Sequence, residues 1–569
     1  MKRSVRALLP VVLLLVTVAS EMFGQHILFV PKPTTTTYID NIINGDTLAG
    51  GVRKDSLRVY VLQRGGTWFW ENSVQNIGWK LTIQAADTGS GAMPRIYGLP
   101  TPGTNPPTVP YNYVIIAGPL YVKGLMISGF VDQDTSYLNK YQAPGQFFSR
   151  SNPSPDRAEF YSNVFSGPLQ AYVSAFGSCS VIKMVDNVFA NDGVPPLWDL
   201  GNGRIIDCRN VSLDSLILVN NTLAYGFDRA IRHLKSVGRI DCILIDHNTV
   251  YENGGRYGLF SLGAVGSKVT ITNNLLIDPM AFGADTSTFR QFDFGEAGEF
   301  DANGKVKMAW IYNMAGKNDS LPGKKATVWT IAKNYWYVTP QIQAVWDSAV
   351  KSGWDPAIGL GRFTTDTIRT HIADTANAFI KLPSFAFTKV PPPFAPVVIY
   401  CTAPGPNGTG GQSSGGVWPG YDRRLINYYR DTMDCSYSTS SPAYTGGTLG
   451  FPAGDLNWFP SRKAAWVVAT GIAENPTLNT VPEVYTLSQN YPNPFNPATQ
   501  IEFSIPKQSQ VSLKVYNLLG QEVATLVNGV LPAGHHAATF NASNLASGVY
   551  FYRIDAGNFN SARKMLLLK

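Results

Sequence analysis

The chain has 569 residues and a formal net charge of +7, of which Lys2, Arg3 and Arg6 supply three, so the remainder carries about +4. Charged residues make up 15%, against roughly 25% in an ordinary soluble domain, and the absence of any basic run excludes nucleic acid as a partner on electrostatic grounds. The length allows two or three domains with a large core, and 53 Gly, 38 Pro and many aromatics favour a β protein rich in turns.

In chain order, the basic residues at the N-terminus precede an apolar run, Leu8 to Val18, and then the small residues Val18-Ala19-Ser20. This three-part pattern predicts a secretory signal over residues 1–20, with an apolar stretch too short to cross a bilayer core of about 30 Å. After the TTTT run, Ile39, Ile42 and Ile43 have helical spacing, so Tyr38 to Ile43 is expected to form an N-terminal capping helix. Arg58 to Leu62, Lys80 to Gln84 and Tyr113 to Ile127 then read as the first strands of a repeating structure.

The repeat itself is an apolar-Asn-apolar theme: FYSNVF at 160–165, MVDNVF at 184–189, LVNNTL at 218–223, IDHNTV at 245–250, ITNNLL at 271–276 and a weaker AKNYW at 332–336. The asparagines Asn163, Asn187, Asn221, Asn248 and Asn274 follow one another at intervals of 24, 34, 27 and 26 residues. A period of that size marks a solenoid. A right-handed parallel β-helix fits it: each coil contributes short strands, and an Asn at the same turn of successive coils takes the left-handed conformation and builds a side-chain amide ladder. The leucine-rich alternative lacks its LxxLxL frame. The fold class expected is thus all-β, with the β-helix and its cap over residues 21–395 and a loop-rich end and linker over 396–477.

Five cysteines, Cys179, Cys208, Cys242, Cys401 and Cys435, include no CxxC pair and no His cluster, which argues against zinc. Cys401 and Cys435 flank a Gly/Ser/Pro-rich stretch that a disulfide could close in an oxidising compartment. Cys208 and Cys242 sit in strand-like runs and are expected to be buried as small apolar residues.

From Arg58 to Val338 the chain resembles the pectate-lyase-like β-helix superfamily, at the level of fold and without a family fingerprint. That resemblance implies work on polysaccharides. Inverting hydrolysis needs two carboxylates about 6.5–9.5 Å apart, and the Asp-Asp pair and GHG block of polygalacturonase-like enzymes are missing here. β-Elimination on a uronic acid needs a base for the C5 proton and a cation beside the carboxylate. Lyases of this fold use Lys or Arg, often with Ca²⁺ held by carboxylate or amide oxygens. Period-two alternation with Ile206, Cys208, Ile231 and Phe292 inward turns Asp207, Arg209, Arg232 and Asp293 outward as one polar stripe. The candidate catalytic residues are Arg232, His233, Arg209 and Arg290. Asp207, Asp293 and Arg256 are candidates for substrate binding, and Glu296 and Glu299 for a Ca²⁺ ion. Asp246-His247 echoes a pectate-lyase block but falls in the ladder turn, and the RxPxxR block is absent. Trp68, Trp70, Trp79, Trp198 and Trp310 could stack on sugar rings, although core or cap positions suit most of them better. The alternative to an enzyme is a non-catalytic glycan-binding, adhesion or structural envelope protein. DLNWFP at Asp455 to Pro460 resembles the tail of secreted β-helix proteins.

Residues 478–569 carry a different signal. NYPNPFNPAT at 490–499 holds three prolines and cannot enter a helix or a central strand. Short strand-like runs follow at 501–505, 511–516, 522–527, 536–540, 549–554 and 564–568, separated by turn residues, which predicts a small β-sandwich. NYPNPFNPAT, VYNLLGQEVATLV, LASGVYFYRI and KMLLLK, in that order, resemble the C-terminal sorting domain of the type IX secretion system. The resemblance implies recognition by the outer-membrane translocon and release or attachment at the cell surface.

Overall fold

The computed structural model separates into two compact units, Met1–Ala464 and Ala465–Lys569. It describes residues 27–48, 53–56, 58–87, 91–99, 112–129, 145–150, 157–168, 170–175, 179–190, 203–209, 211–226, 228–234, 238–255, 258–281, 309–312, 326–351, 361–389, 433–470, 485–487, 490, 493–505, 508–531 and 534–568. The expected signal segment lies outside these residues.

The first unit is a parallel β-helix, as the asparagine period requires. Among the described residues its first sheet has ten strands, running from Ile27–Val30 through Arg157–Tyr161, Cys179–Val185, Leu213–Val219 and Arg239–Asp246 to Val328–Ala332. The chain passes from each of these coils into a third sheet, of ten strands, which includes Val164–Ser166, Val188–Ala190, Thr222–Ala224, Thr249–Tyr251 and Leu275–Ile277. It then enters a second sheet of nine strands, which includes Gln146–Arg150, Ala171–Ala175, Arg204–Arg209, Ile231–Leu234, Phe260–Ser261 and Ala309–Tyr312. Residues at the same place in successive coils stack in register, for example Phe165↔Phe189↔Leu223↔Val250↔Leu276. These columns make one continuous core between the three sheets, and Trp68, Trp70, Trp79 and Trp310 are all buried in it. They are core residues rather than an aromatic platform, and Trp198 lies outside the described residues. The capping helix forms over Ile39–Gly45 and buries Ile39 and Ile43 against the first coils.

The predicted ladder is present. Each side-chain amide donates to the next: Asn163 to Asn187 (3.0 Å), Asn187 to Asn221 (3.0 Å), Asn221 to Asn248 (2.9 Å), Asn248 to Asn274 (3.0 Å) and Asn274 to Asn334 (2.8 Å). Each acceptor oxygen also takes the backbone N–H of the asparagine before it, as Asn248 does from Asn221 at 3.0 Å. One detail of the expectation is corrected. The left-handed residue is the one that precedes each ladder asparagine: Ser162, Asp186, Asn220, His247, Asn273 and Lys333 have φ between 53° and 63°. The ladder amides must point into the interior to reach one another, so the kink that aims them falls one residue earlier.

A segment far along the chain covers the third sheet. Asp434–Tyr437 pairs antiparallel with Phe387–Lys389, and Met433, Cys435, Tyr437, Ala443 and Ala453 pack with Val164, Val188, Ala224, Tyr251 and Leu275 as a second core. The segment then runs back along the left-handed column as a strap. Lys333 Nζ donates to Gly447 O (3.1 Å), Thr448 N to Asn273 Oδ1 (2.8 Å), Asp455 N to Thr249 Oγ1 (2.9 Å), and Asn457 Nδ2 to Asn220 O (3.0 Å). Lys463 closes on Asp186 at 2.7 Å. Gly454, at φ 88°, passes so close that a Cβ there would sit 2.6 Å from Thr249 Oγ1. Cys435 is a free, buried thiol in this second core, so the expected bridge to Cys401 does not form. Cys208 is buried as expected, whereas Cys242 is half-buried on the outer column beside Ser267. Cys401 itself lies outside the described residues.

The second unit is an antiparallel sandwich. One sheet is Thr486–Leu487, Ala498–Ile505 and Gly534–Asn541; the other, in spatial order, is Glu522–Leu531, Ser509–Tyr516, Gly548–Ala556 and Phe559–Leu567. Ile501, Phe503 and Phe540 meet Val511, Leu513, Tyr552, Ile554 and Met565 between them. No helix among the described residues is long and apolar enough to cross a membrane.

Candidate functional site

The outer face of the second sheet carries the charges singled out from sequence. Asp207 and Arg232 are register partners on adjacent coils, in an outward column that continues through Ser174, Ser261 and Tyr312. Arg232 Nη1 lies 3.6 Å from Asp207 Oδ2, and Arg204 Nη1 approaches the same oxygen to 2.8 Å. Arg204 Nε bonds Asp228 at 2.8 Å, Arg229 Nε reaches the other oxygen of Asp228 at 3.3 Å, and Arg229 Nη1 donates to the Tyr312 hydroxyl at 2.5 Å. Among the described residues, three guanidinium groups thus face two carboxylates, an excess of one positive charge.

Within this cluster the groups differ sharply in access. Asp207 is fully buried, so it serves the arginines rather than lying open to a ligand, while Arg232 keeps 18% of its side chain exposed. Burial, reinforced by the charge of Arg204, lowers the Arg232 pKa to about 10. Burial alone would raise Asp228, yet Arg229 and Arg204 outweigh it and hold its carboxyl below the ordinary range. The Nε of Arg232 has no hydrogen-bond partner among the described residues.

His233 is not on this face. It follows Arg232 in the strand and so points inward in register with Cys208, fully buried, its Nε2 2.9 Å from Val211 O. Desolvation lowers its pKa, against a smaller opposing pull from the Val211 carbonyl. Arg209 ends its strand opposite Leu234, but its side chain lies outside the described residues, as do Arg256, Arg290, Asp293, Glu296 and Glu299. Among the described residues, no group of three or more His, Cys, Asp or Glu gathers as a metal site. Asp246 and His247 bond to each other at 2.8 Å within the ladder turn, where Thr272 and Asn273 also hold the carboxylate.

Simple alternation pointed to Asp207 and Arg232 and missed Arg204, Asp228 and Tyr312. The reason is local: Ile205 N and Ile206 N both donate to Ala230 O, and both side chains enter the core. The irregularity shifts the inward-outward count, so Arg204 faces outward although it is two residues from an inward Ile206.

The fold and this face define a solenoid whose second sheet carries a largely buried charged cluster, open to solvent at Arg232, joined in sequence to a small sandwich. Residues 489–568 match the family described as "Secretion system C-terminal sorting domain". The chain is therefore a cargo of the type IX secretion system, exported to the cell surface or the extracellular space. Comparison with curated proteins and with solved structures returns no match.

Proposed function

We propose that the exported β-helix binds an acidic polysaccharide across the outer face of its second sheet and cleaves it by β-elimination, as a uronic-acid lyase. The observation that carries this reading is the excess cation of the Arg204–Asp207–Asp228–Arg229–Arg232 cluster, in which Arg232 is the arginine left partly open to solvent. That excess charge would draw an acidic polymer to this face, with the uronate carboxylate on the cations proposed at Arg209 and Arg290 and Arg232 left to face the C5 proton. Neutralising that carboxylate makes the C5 proton more acidic. Once a base removes it, the electron pair forms the C4–C5 double bond and the C4–O bond breaks, with the leaving oxygen taking up a proton. Arg232, with its lowered pKa, suits the base, and neighbouring cations suit the carboxylate. Arg209 and Arg290 are proposed to supply further cations, Asp293 and Arg256 substrate contacts, and Glu296 and Glu299 ligands for Ca²⁺.

The test is to incubate the mature protein with a panel of uronic-acid polymers, with and without Ca²⁺, and follow absorbance of the unsaturated product. A signal that Arg232→Ala reduces by at least a hundredfold and Arg232→Lys partly restores is the expected result. Absence of product from every polymer removes the lyase reading. The second reading, a non-catalytic glycan-binding or structural envelope protein, is favoured by the mutual pairing of Arg204, Asp207, Asp228 and Arg229, which ties coils together without any ligand. Retention of an acidic polymer without cleavage would support it.

A further inference from the structure

The two most exposed large apolar side chains among the described residues from 485 to 568 sit side by side at a turn. Leu518 and Leu519 are 68% and 82% exposed, between the strands Ser509–Tyr516 and Glu522–Leu531. Turn positions ordinarily take small or polar residues, so two adjacent leucines held in water require a reason. The turn does not let them fold back. Asn517 Oδ1 accepts from Leu519 N and Gln521 N at 3.0 Å each, its Nδ2 donates to Gln521 Oε1 at 2.9 Å, and its own N–H bonds Gln521 O at 3.0 Å. Gly520 takes φ 76°, and Lys514 bridges Glu522 at 2.8 Å across the base. The leucines are thus presented on a preorganised scaffold, which lowers the ordering cost when a partner covers them.

The strand that leaves the turn continues the surface. Glu522–Leu531 is an edge strand, hydrogen-bonded among the described strands only to Ser509–Tyr516, and none of its ten residues is buried. Its outer N–H and C=O groups can be satisfied by another polypeptide and not by lipid tails. We propose that Leu518 and Leu519, together with this open edge, form the grip by which a protein of the type IX translocon recognises the chain: the leucines enter an apolar pocket and the edge strand takes up a partner strand. This inference rests on the export assignment made from residues 489–568.

The experiment uses the full chain in a bacterium with a working type IX system and compares periplasmic with external protein. L518S/L519S is expected to lower export at least tenfold while the periplasmic protein keeps the wild-type thermal unfolding midpoint. L519K, the more exposed position alone, is read if the double variant accumulates poorly, and should lower export in the same direction. N517A, which keeps both leucines but frees the turn, should give an intermediate loss. Wild-type export of L518S/L519S or of L519K overturns the proposal. Normal export with loss of cell attachment alone also overturns it, because the tip would then act on the lipid surface. Deletion of residues 489–568 separates the two levels of inference. If that variant is still exported, the sorting assignment itself fails; if it is retained while L518S/L519S is exported, only the grip fails.

Discussion

Asp228 shows how much a single buried charge decides in this molecule. It bonds both Arg204 and Arg229, and all three are almost fully buried. Removing one partner of such a set leaves an uncompensated ion, at a cost of about 3–5 kcal/mol. Asp228→Asn is therefore expected to lower the unfolding free energy by that order, measured by denaturant titration at pH 7. Its carboxyl is held below the ordinary range in the fold, so its stabilisation is present above the unfolded pKa of about 4 and is lost as acid protonates it. Arg232 gives the complementary prediction for activity. With its pKa at about 10, its neutral fraction rises tenfold for each unit that pH increases toward that value. The kcat/KM for elimination should rise with a slope near one from pH 7 to 9 if Arg232 is the base. A flat profile removes it from that role. Arg232 and Arg204, the partner of Asp228, were not equally visible in advance. Arg232 lies in a strand where alternation holds, whereas the irregularity at Ile205 and Ile206 conceals Arg204 from the same count.

At the scale of elements, the ladder and the strap differ in how readily sequence reveals them. The ladder is legible because its partners recur with a period and every interval is one coil. The left-handed residue beside it is not, because Ser162, Asp186, Asn220, His247, Asn273 and Lys333 share a backbone angle but comprise five different residue types. The strap is invisible for a different reason: its contacts join residues from 114 positions apart (Lys333 and Gly447) to 277 apart (Asp186 and Lys463), and no period connects them. Replacing the central Asn221 by Leu removes the acceptor of Asn187 N and the side-chain donor to Met184 O and Asn248 Oδ1, all of them buried. At about 1–3 kcal/mol for each buried group left unpaired, the first unit's melting point should fall by several degrees. The strap carries its own pH response. Burial raises Asp455 to about 7; Asp186 adds to this, while Asn457, Thr222 and Lys463 pull it back. A carboxyl raised in the fold stabilises fully below its unfolded value of about 4, and that contribution is lost as pH rises through about 7. Amide exchange over residues 447–463, corrected for intrinsic rate, should therefore be faster at pH 8.5 than at pH 5.5. Asp455→Asn should remove the difference.

For the whole molecule, the division of labour follows from two kinds of burial. The columns between the three sheets make the solenoid, and the second core makes one of its outer faces unavailable, since Met433, Cys435, Tyr437, Ala443 and Ala453 lie against the third sheet. A chain ending at residue 389 would leave Val164, Val188, Ala224, Tyr251 and Leu275 without that cover, and patches of this kind drive association. It is expected to bind a hydrophobic dye and to aggregate, where the full chain does neither, as light scattering would show. Fold class and export were legible from the spacing of asparagines and from four ordered blocks near the C-terminus. The charged face was legible only in part, because it combines register-dependent residues with others that alternation does not place.

The strap has a consequence for how this solenoid can change its length. Arrays of coils grow and shrink by duplication or loss of one repeat, and a ladder of identical amides would tolerate either event. The strap would not. Its Gly447, Thr448, Asp455, Asn457 and Lys463 meet Lys333, Asn273, Thr249, Asn220 and Asp186 in strict reverse order, each on its own coil. An added or missing coil within that span would leave every later contact one rung out of step. The strap therefore works as a gauge, admitting a single number of coils between Asp186 and Lys333.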